Sequence, residues 1–118
     1  MVEVYTNGNL MCNFQNLYLE NNCFVVRCKN CQSYQIGFST SIFNCTREDF
    51  YAFMNMASRR LAIEQDNSDD YAKTIVLPTP YFGVSLFLSK RELAQLCRIL
   101  DQAENEENVQ SLMSLFNE

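Results

Sequence analysis

"GFSTSIFNCTREDF", residues 37–50, and "GVSLFLSKREL", residues 83–93, carry the same order of residue types. Each runs from a glycine through a β-prone segment to a hydroxyl residue (Thr46, Ser89) and a basic residue (Arg47, Lys90). An acid follows three positions after the hydroxyl (Asp49, Glu92), and then a large apolar residue (Phe50, Leu93). A hydroxyl with an acid three residues later is the pattern of a helix N-cap, and Ser89-x-x-Glu92 is a full capping box. Both stretches therefore predict a strand feeding directly into a helix, and the chain reads as a ββα unit built twice. Each unit alone leaves an apolar sheet face and an apolar helix stripe unburied. The expected fold is α+β, with one antiparallel sheet of about five strands and two main helices on one of its faces.

Working outward, "NLYLENNCFVVRC" has two β-prone runs around Asn21-Asn22, a dipeptide suited to a tight hairpin, which predicts strands at 14–20 and 23–28. Alternation of Tyr34, Ile36 and Phe38 with polar or small residues predicts a third strand at 33–44. After Thr46, Phe50, Phe53, Met54, Ala57 and Leu61 recur at helical spacing. The segment Glu64–Asp70, "EQDNSDD", has no apolar residue and predicts a mobile surface loop. Strands at 73–77 and 81–88 flank Pro78-Thr79-Pro80, and Leu93, Leu96, Cys97, Leu100 and Ala103 mark the second helix.

Val109, Leu112, Met113 and Phe116 form a further apolar stripe at helical spacing. Nine residues from Leu100 to Val109 amount to a rotation of about 900°, half a turn out of phase with the stripe before it. One straight helix cannot bury both stripes in one core. The expectation is a single domain over 1–104 and a short C-terminal helix over 105–118: either the chain breaks near Asn105 to Asn108 and folds back, the favoured reading, or, since no Gly or Pro marks a break, the tail stripe faces a partner. That helix would dock back on the domain or bind a partner.

A length of 118 residues with 47% hydrophobic content suits one domain with its own core. No stretch approaches the roughly 20 apolar residues of a membrane span, the longest near-apolar run being Tyr81 to Leu88. The opening "MVEVYTNGNLMC" does not read as a secretory signal, so the expected location is the cytoplasm, with reduced thiols. Residues 1–98 hold nine acids and nine bases, whereas 99–118 hold five acids and no base. Neither part offers a basic footprint for phosphates, which disfavours a nucleic-acid partner. Histidine is absent, removing the commonest general base, the Cys-His and Ser-His pairs, and imidazole ligands.

Chemistry is concentrated in "RCKNCQSYQ", residues 27–35, where Cys28 and Cys31 form a C-x-x-C. A two-residue hairpin loop at Asn21-Asn22 would place Cys12 opposite Cys31. That gathers Cys12, Cys28 and Cys31 as three thiolates at a turn, a ligand set suited to zinc. Cys23 points to the other sheet face and Cys45 lies at the far end of the third strand, so no fourth ligand is evident. A redox dithiol is less favoured because the motif joins two strands and lacks a helix N-terminus, and a structural turn with ordinary thiols is the plain alternative. Cys23, Cys45 and Cys97 read as core filling. Asp66, Asp69 and Asp70 lack calcium-loop spacing. Arg59 and Arg60 complement the end of the first helix, and Tyr34, Phe38 and Phe43 read as packing aromatics.

"VVRCKNCQSYQIGFSTSIFNCTREDFYAF" together with "LPTPYFGVSLFLSKRELAQLCRILDQA" resembles a family of small uncharacterised bacterial proteins, a domain of unknown function. In that family an R-C-x-x-C segment precedes a Q-x-x-F-G-like strand and a T/S-x-x-D/E-F helix start. A T-P strand later precedes an L-x-L-S-x-x-E-L helix. The match spans most of residues 24–103, with one departure: Gln35-Ile36-Gly37-Phe38-Ser39 places glycine ahead of phenylalanine. The resemblance implies a bacterial cytoplasmic domain with the C-x-x-C as a family feature, and it brings no activity or ligand. The expectation is a non-enzymatic domain that binds a protein partner or itself through Val109, Leu112, Met113 and Phe116 or an exposed sheet face. No cofactor is expected. The alternative is a small zinc-binding module built on Cys12, Cys28 and Cys31.

Overall fold

Two hairpin-to-helix junctions organise the chain in a computed structural model that describes residues 13–116. A first hairpin, β1 (Phe14–Leu19) and β2 (Cys23–Cys28), precedes β3 (Tyr34–Phe38), β4 (Ser41–Cys45) and α1 (Arg47–Ile63). A 3₁₀ turn at Glu64–Asp66 leads to β5 (Lys73–Pro78), β6 (Ser85–Ser89) and α2 (Lys90–Phe116). Both caps form as the sequence demands. Thr46 Oγ1 accepts from Asp49 N at 3.2 Å. Ser89 Oγ accepts from Glu92 N at 3.1 Å while Glu92 Oε1 accepts from Ser89 N at 2.9 Å. Burial works against the Glu92 carboxylate, but the Ser89 amide and Lys73 outweigh it and hold its pKa below the ordinary value.

The α+β class and antiparallel pairing agree with the sequence reading, but the strands divide differently. Instead of one sheet of about five strands there is a four-stranded sheet in the order β1-β2-β3-β4 and a separate two-stranded β5-β6 sheet. The stretch 33–44 is two strands joined by Ser39-Thr40, with Phe38 paired to Ser41. Ser39 takes a φ of 56° to make the turn. The turn shifts the alternation by one position: Tyr34, Ile36 and Phe38 before it and Phe43 and Cys45 after it all face the same core, so inward even positions give way to inward odd ones. Conversely, "YFGV" lies in the β5–β6 turn and not in a strand. There Gly83 has a φ of 82° and Thr79 N donates to Val84 O at 3.0 Å.

The Glu64–Asp70 loop is on the surface as expected, yet it is tied down by its own polar groups. Asp69 Oδ1 accepts from Tyr71 N at 3.0 Å and Ala72 N at 3.1 Å, and Lys90 Nζ reaches Asn67 O at 3.0 Å.

The core forms where the helices meet the four-stranded sheet. Phe50 of α1 stacks on Tyr34 of β3 with ring centroids 4.5 Å apart, and Phe53 meets Phe43 of β4 edge-on at 5.3 Å. α2 runs along β1 and β2, and Ile75, Leu77, Leu86 and Leu88 of the β5–β6 hairpin join the same buried cluster. The expected break at Asn105 to Asn108 does not occur: α2 is one helix of 27 residues. No Gly or Pro interrupts it, and two asparagines cost only a few tenths of a kcal/mol each. The half-turn offset is resolved by facing the two stripes in opposite directions. Leu93, Leu96, Leu100 and Ala103 are buried, and the same stripe continues one turn further with Glu107, which is 3% exposed.

Candidate functional site

Three places could carry function, and they lie close together along β2, β3 and the second half of α2. At the β2–β3 connection, Gln32 N donates to Cys28 O at 3.0 Å and Cys28 N to Ser33 O at 2.8 Å, closing a tight turn with Gln32 at a φ of 63°. Within it Cys31 N donates to Cys28 Sγ at 3.4 Å, and Cys31 Sγ lies 3.0 Å from Ser33 Oγ. Cys28 is buried and Cys31 exposed. Cys12 lies outside the described residues. A β-bulge between Asn16 and Tyr18 slips the hairpin by one position, so Phe14 faces Cys28. The uninterrupted register that would set Cys12 opposite Cys31 is therefore already lost at the start of β1. Among the described residues no group of three metal-ligating side chains forms.

The other described thiols are core fillers. Burial followed by the Asp49 charge pushes the Cys45 thiol up to about 12. Burial likewise raises Cys23, aided by Glu20, and Cys97, aided by Asp101.

Next to this turn is a polar cluster that periodicity and spacing did not single out. Glu107 of α2 reaches down between the helices and the sheet, and its Oε2 accepts from Tyr34 OH at 2.6 Å. Tyr51 OH of α1 lies 3.5 Å from Oε1, and Arg27 Nε lies 3.4 Å from Oε2 as an ion pair without a formed Nε–H hydrogen bond. Arg27 in turn donates through Nη2 to Gln32 in the C-x-x-C turn. Burial, then the hydrogen bond from the Tyr34 hydroxyl to Glu107, raise the Tyr34 pKa, and burial with the Glu107 charge raises that of Tyr51. Both phenols stay protonated and their hydroxyls are committed to Glu107. The cluster is therefore a clamp that joins β2, β3, α1 and α2 beside the turn, and it has no spare base to offer a substrate. The signal that could have found it is the position of Glu107 itself, seven residues after Leu100 on the core stripe.

The predicted partner-binding residues all face outward. Val109, Leu112, Met113 and Phe116 are 54%, 58%, 57% and 79% exposed, and Leu115 joins them at 68%. Gln110 Nε2 donates to Asn16 O at 3.3 Å, so α2 is tied to β1 up to that point. The apolar face thus sits on a helix held rigidly by its opposite side.

The model of a family of unknown function (DUF6686) matches residues 10–116. No curated protein and no solved structure matches the chain.

Proposed function

The chain belongs to that family of unknown function, and from its geometry we propose that it is a non-enzymatic, cytoplasmic self-association domain that uses the outer face of the last turns of α2. One observation carries this reading. Val109, Leu112, Met113 and Phe116 are each more than half exposed on a helix whose other face is buried as far as Glu107. Scattered exposed apolar residues are ordinary, but four at i, i+3, i+4 and i+7 on a rigid helix form a docking stripe. Absence of enzymatic chemistry is supported by the closed Glu107 cluster. A polar cleft of about 530 Å³ beside Ser39, Thr40 and Glu92 offers no base either, since Glu92 is spent on the α2 cap.

The test is light scattering of the intact chain against Leu112→Glu/Phe116→Glu. The wild type should give a defined dimer and the variant a monomer of equal helix content. A wild type that stays monomeric at roughly 100 μM, where even weak specific dimers associate, sinks the reading. A truncation near Gln102 is the wrong probe, because it also removes buried Ala103 and Glu107.

A second reading, a zinc-binding module, is favoured by the turn. The Cys31 amide donates to Cys28 Sγ at 3.4 Å, so the turn is folded around that sulfur. Lys29 N donates to Asn13 O at 2.9 Å, so Cys12, the chain neighbour of Asn13, is one residue away from a group bonded to the motif. Cys12, Cys28 and Cys31 would be the ligands, and zinc would cross-link the start of β1 to the β2–β3 turn. Protein purified without added metal should then carry close to one equivalent of zinc by elemental analysis. Less than about a tenth of an equivalent rejects a structural site of ordinary affinity.

A further inference from the structure

We propose that the groove between α1 and the β5–β6 hairpin receives the C-terminal turns of α2 from a second copy, so that two reciprocal contacts close a dimer. The inference rests on the self-association reading and names the receiving surface. One stretch, a depression of about 440 Å³ on the surface of α1 itself, is lined by Ala52, Asn55, Met56 and Ile63 with Arg59 and Arg60 beside them. A second stretch of about 210 Å³, between α1 and the hairpin, shares Ala52 and Met56 and is walled on the far side by Pro78 and Pro80, with Asp49 at the end away from Arg59 and Arg60. The two adjoin at Ala52 and Met56, and Arg60 Nη1 donates to Val76 O at 3.4 Å, fixing the hairpin against the helix. Ile63 is 74% exposed, so an apolar side chain stands open at the basic end.

Length, shape and charge match the α2 end. Residues 52–63 span about 17 Å of helix, and the stripe from Val109 to Phe116 spans about 11 Å, so all four anchors fit within the groove. Residues 99–118 contain five acids and no base, of which Glu107 is buried in the Tyr34 cluster and Glu106 is the one beside the stripe. Glu106 is exposed one turn before Val109 on the flank of the stripe. In the groove, Arg59 is exposed and forms no ion pair among the described residues, while Arg60 is shared with Glu64 at 3.1 Å. An acidic-flanked apolar helix therefore meets an apolar groove with a free guanidinium at its rim. One docked helix end buries less than the roughly 1,200 Å² of a stable interface. Each copy offers one stripe and one groove, and pairing both doubles the area and satisfies closed two-fold symmetry.

The test is complementation between two surface variants of the full chain, with folding checked by circular dichroism. Leu112→Glu/Phe116→Glu removes the stripe and leaves the groove; Ala52→Glu/Ile63→Glu removes the groove and leaves the stripe. Each alone should be monomeric by light scattering. Mixed, they should form a one-to-one heterodimer through a single contact, on the order of 100-fold weaker than the wild-type dimer. If the groove variant dimerises like wild type, stripes pair with each other, and this inference fails while self-association stands. No heterodimer at concentrations roughly 1,000-fold above the wild-type midpoint, a range chosen to cover the loss of one contact, also overturns it. A monomeric wild type overturns both. Should Ala52→Glu/Ile63→Glu misfold, Arg59→Glu alone, at an exposed position, must weaken the dimer at least tenfold or the charge match is wrong.

Discussion

Glu107→Ala is expected to lower the free energy of unfolding by about 2–4 kcal/mol, a fall in melting temperature on the order of 10 °C for a domain of this size. The effect comes from what the substitution leaves behind. Tyr34, 1% exposed, loses the acceptor 2.6 Å from its hydroxyl, and Arg27 loses its carboxylate within the same partly dry space. A surface glutamate on a helix would cost a few tenths of a kcal/mol. Glu107→Gln keeps an acceptor for Tyr34 but gives up the charge facing Arg27, and should cost roughly half as much. Tyr34→Phe in the Glu107→Ala background should add far less than it does alone, because the hydroxyl has already lost its partner. Urea denaturation of the wild type and the four variants measures all of this, and a Glu107→Ala cost under about 0.5 kcal/mol, the range of an ordinary surface substitution, would mean that the carboxylate is solvated.

The same cluster sets an alkaline limit. The folded state holds the Tyr34 proton at pH values where an unfolded tyrosine, with a pKa near 10, releases it. Its contribution is therefore complete below about pH 10 and is lost as pH rises above that. Tyr34→Phe should flatten this arm of the stability profile.

Much of this fold is legible because caps and apolar spacing are local signals. Thr46-x-x-Asp49 and Ser89-x-x-Glu92 mark both helix starts to the residue. The C-x-x-C is legible as a strand-to-strand connection for the same reason. What is not legible depends on the third dimension. Ser39-Thr40 is no strong turn former, and the one trace of the turn is that inward positions pass from even (Tyr34, Ile36, Phe38) to odd (Phe43, Cys45), a phase change that the exposed apolar Ile42 obscures. The one-residue bulge near Leu17 leaves no mark in composition, yet it moves every pairing beyond it toward the N-terminus. The half-turn offset of the last stripe is real, but it implies a break only while Glu107 counts as a tail charge, whereas Glu107 is the last member of the core stripe. One buried carboxylate turns a broken chain into a single helix with two faces, one inside the domain and one outside.

Gly37→Ala should cost about 1–3 kcal/mol, for reasons of space and not of backbone freedom. Gly37 sits opposite Phe24 in the β2–β3 ladder, and a methyl group added there would stand 2.6 Å from Cδ1 and Cζ of the Phe24 ring and closer still to Cε1. The ring lies flat across the glycine and Phe24 is only 7% exposed, an arrangement in which an aromatic shields a strand glycine from water. An alanine must push the ring outward, so the substitution loses part of the Phe24 burial as well as straining the pair. Gly83 supplies the contrast: with a φ of 82° and open space around it, alanine there meets no neighbour and pays only the left-handed backbone cost of about 1 kcal/mol. Shrinking the ring separates the two causes. In a Phe24→Val background Gly37→Ala should become close to neutral, while Gly83→Ala should cost the same as before. If Gly37→Ala keeps its full cost once the ring is gone, the clash is not the cause and the glycine serves the strand some other way. Gly37 faces Phe24, on the side of the sheet away from the helices, while its neighbour Phe38 turns inward to the core.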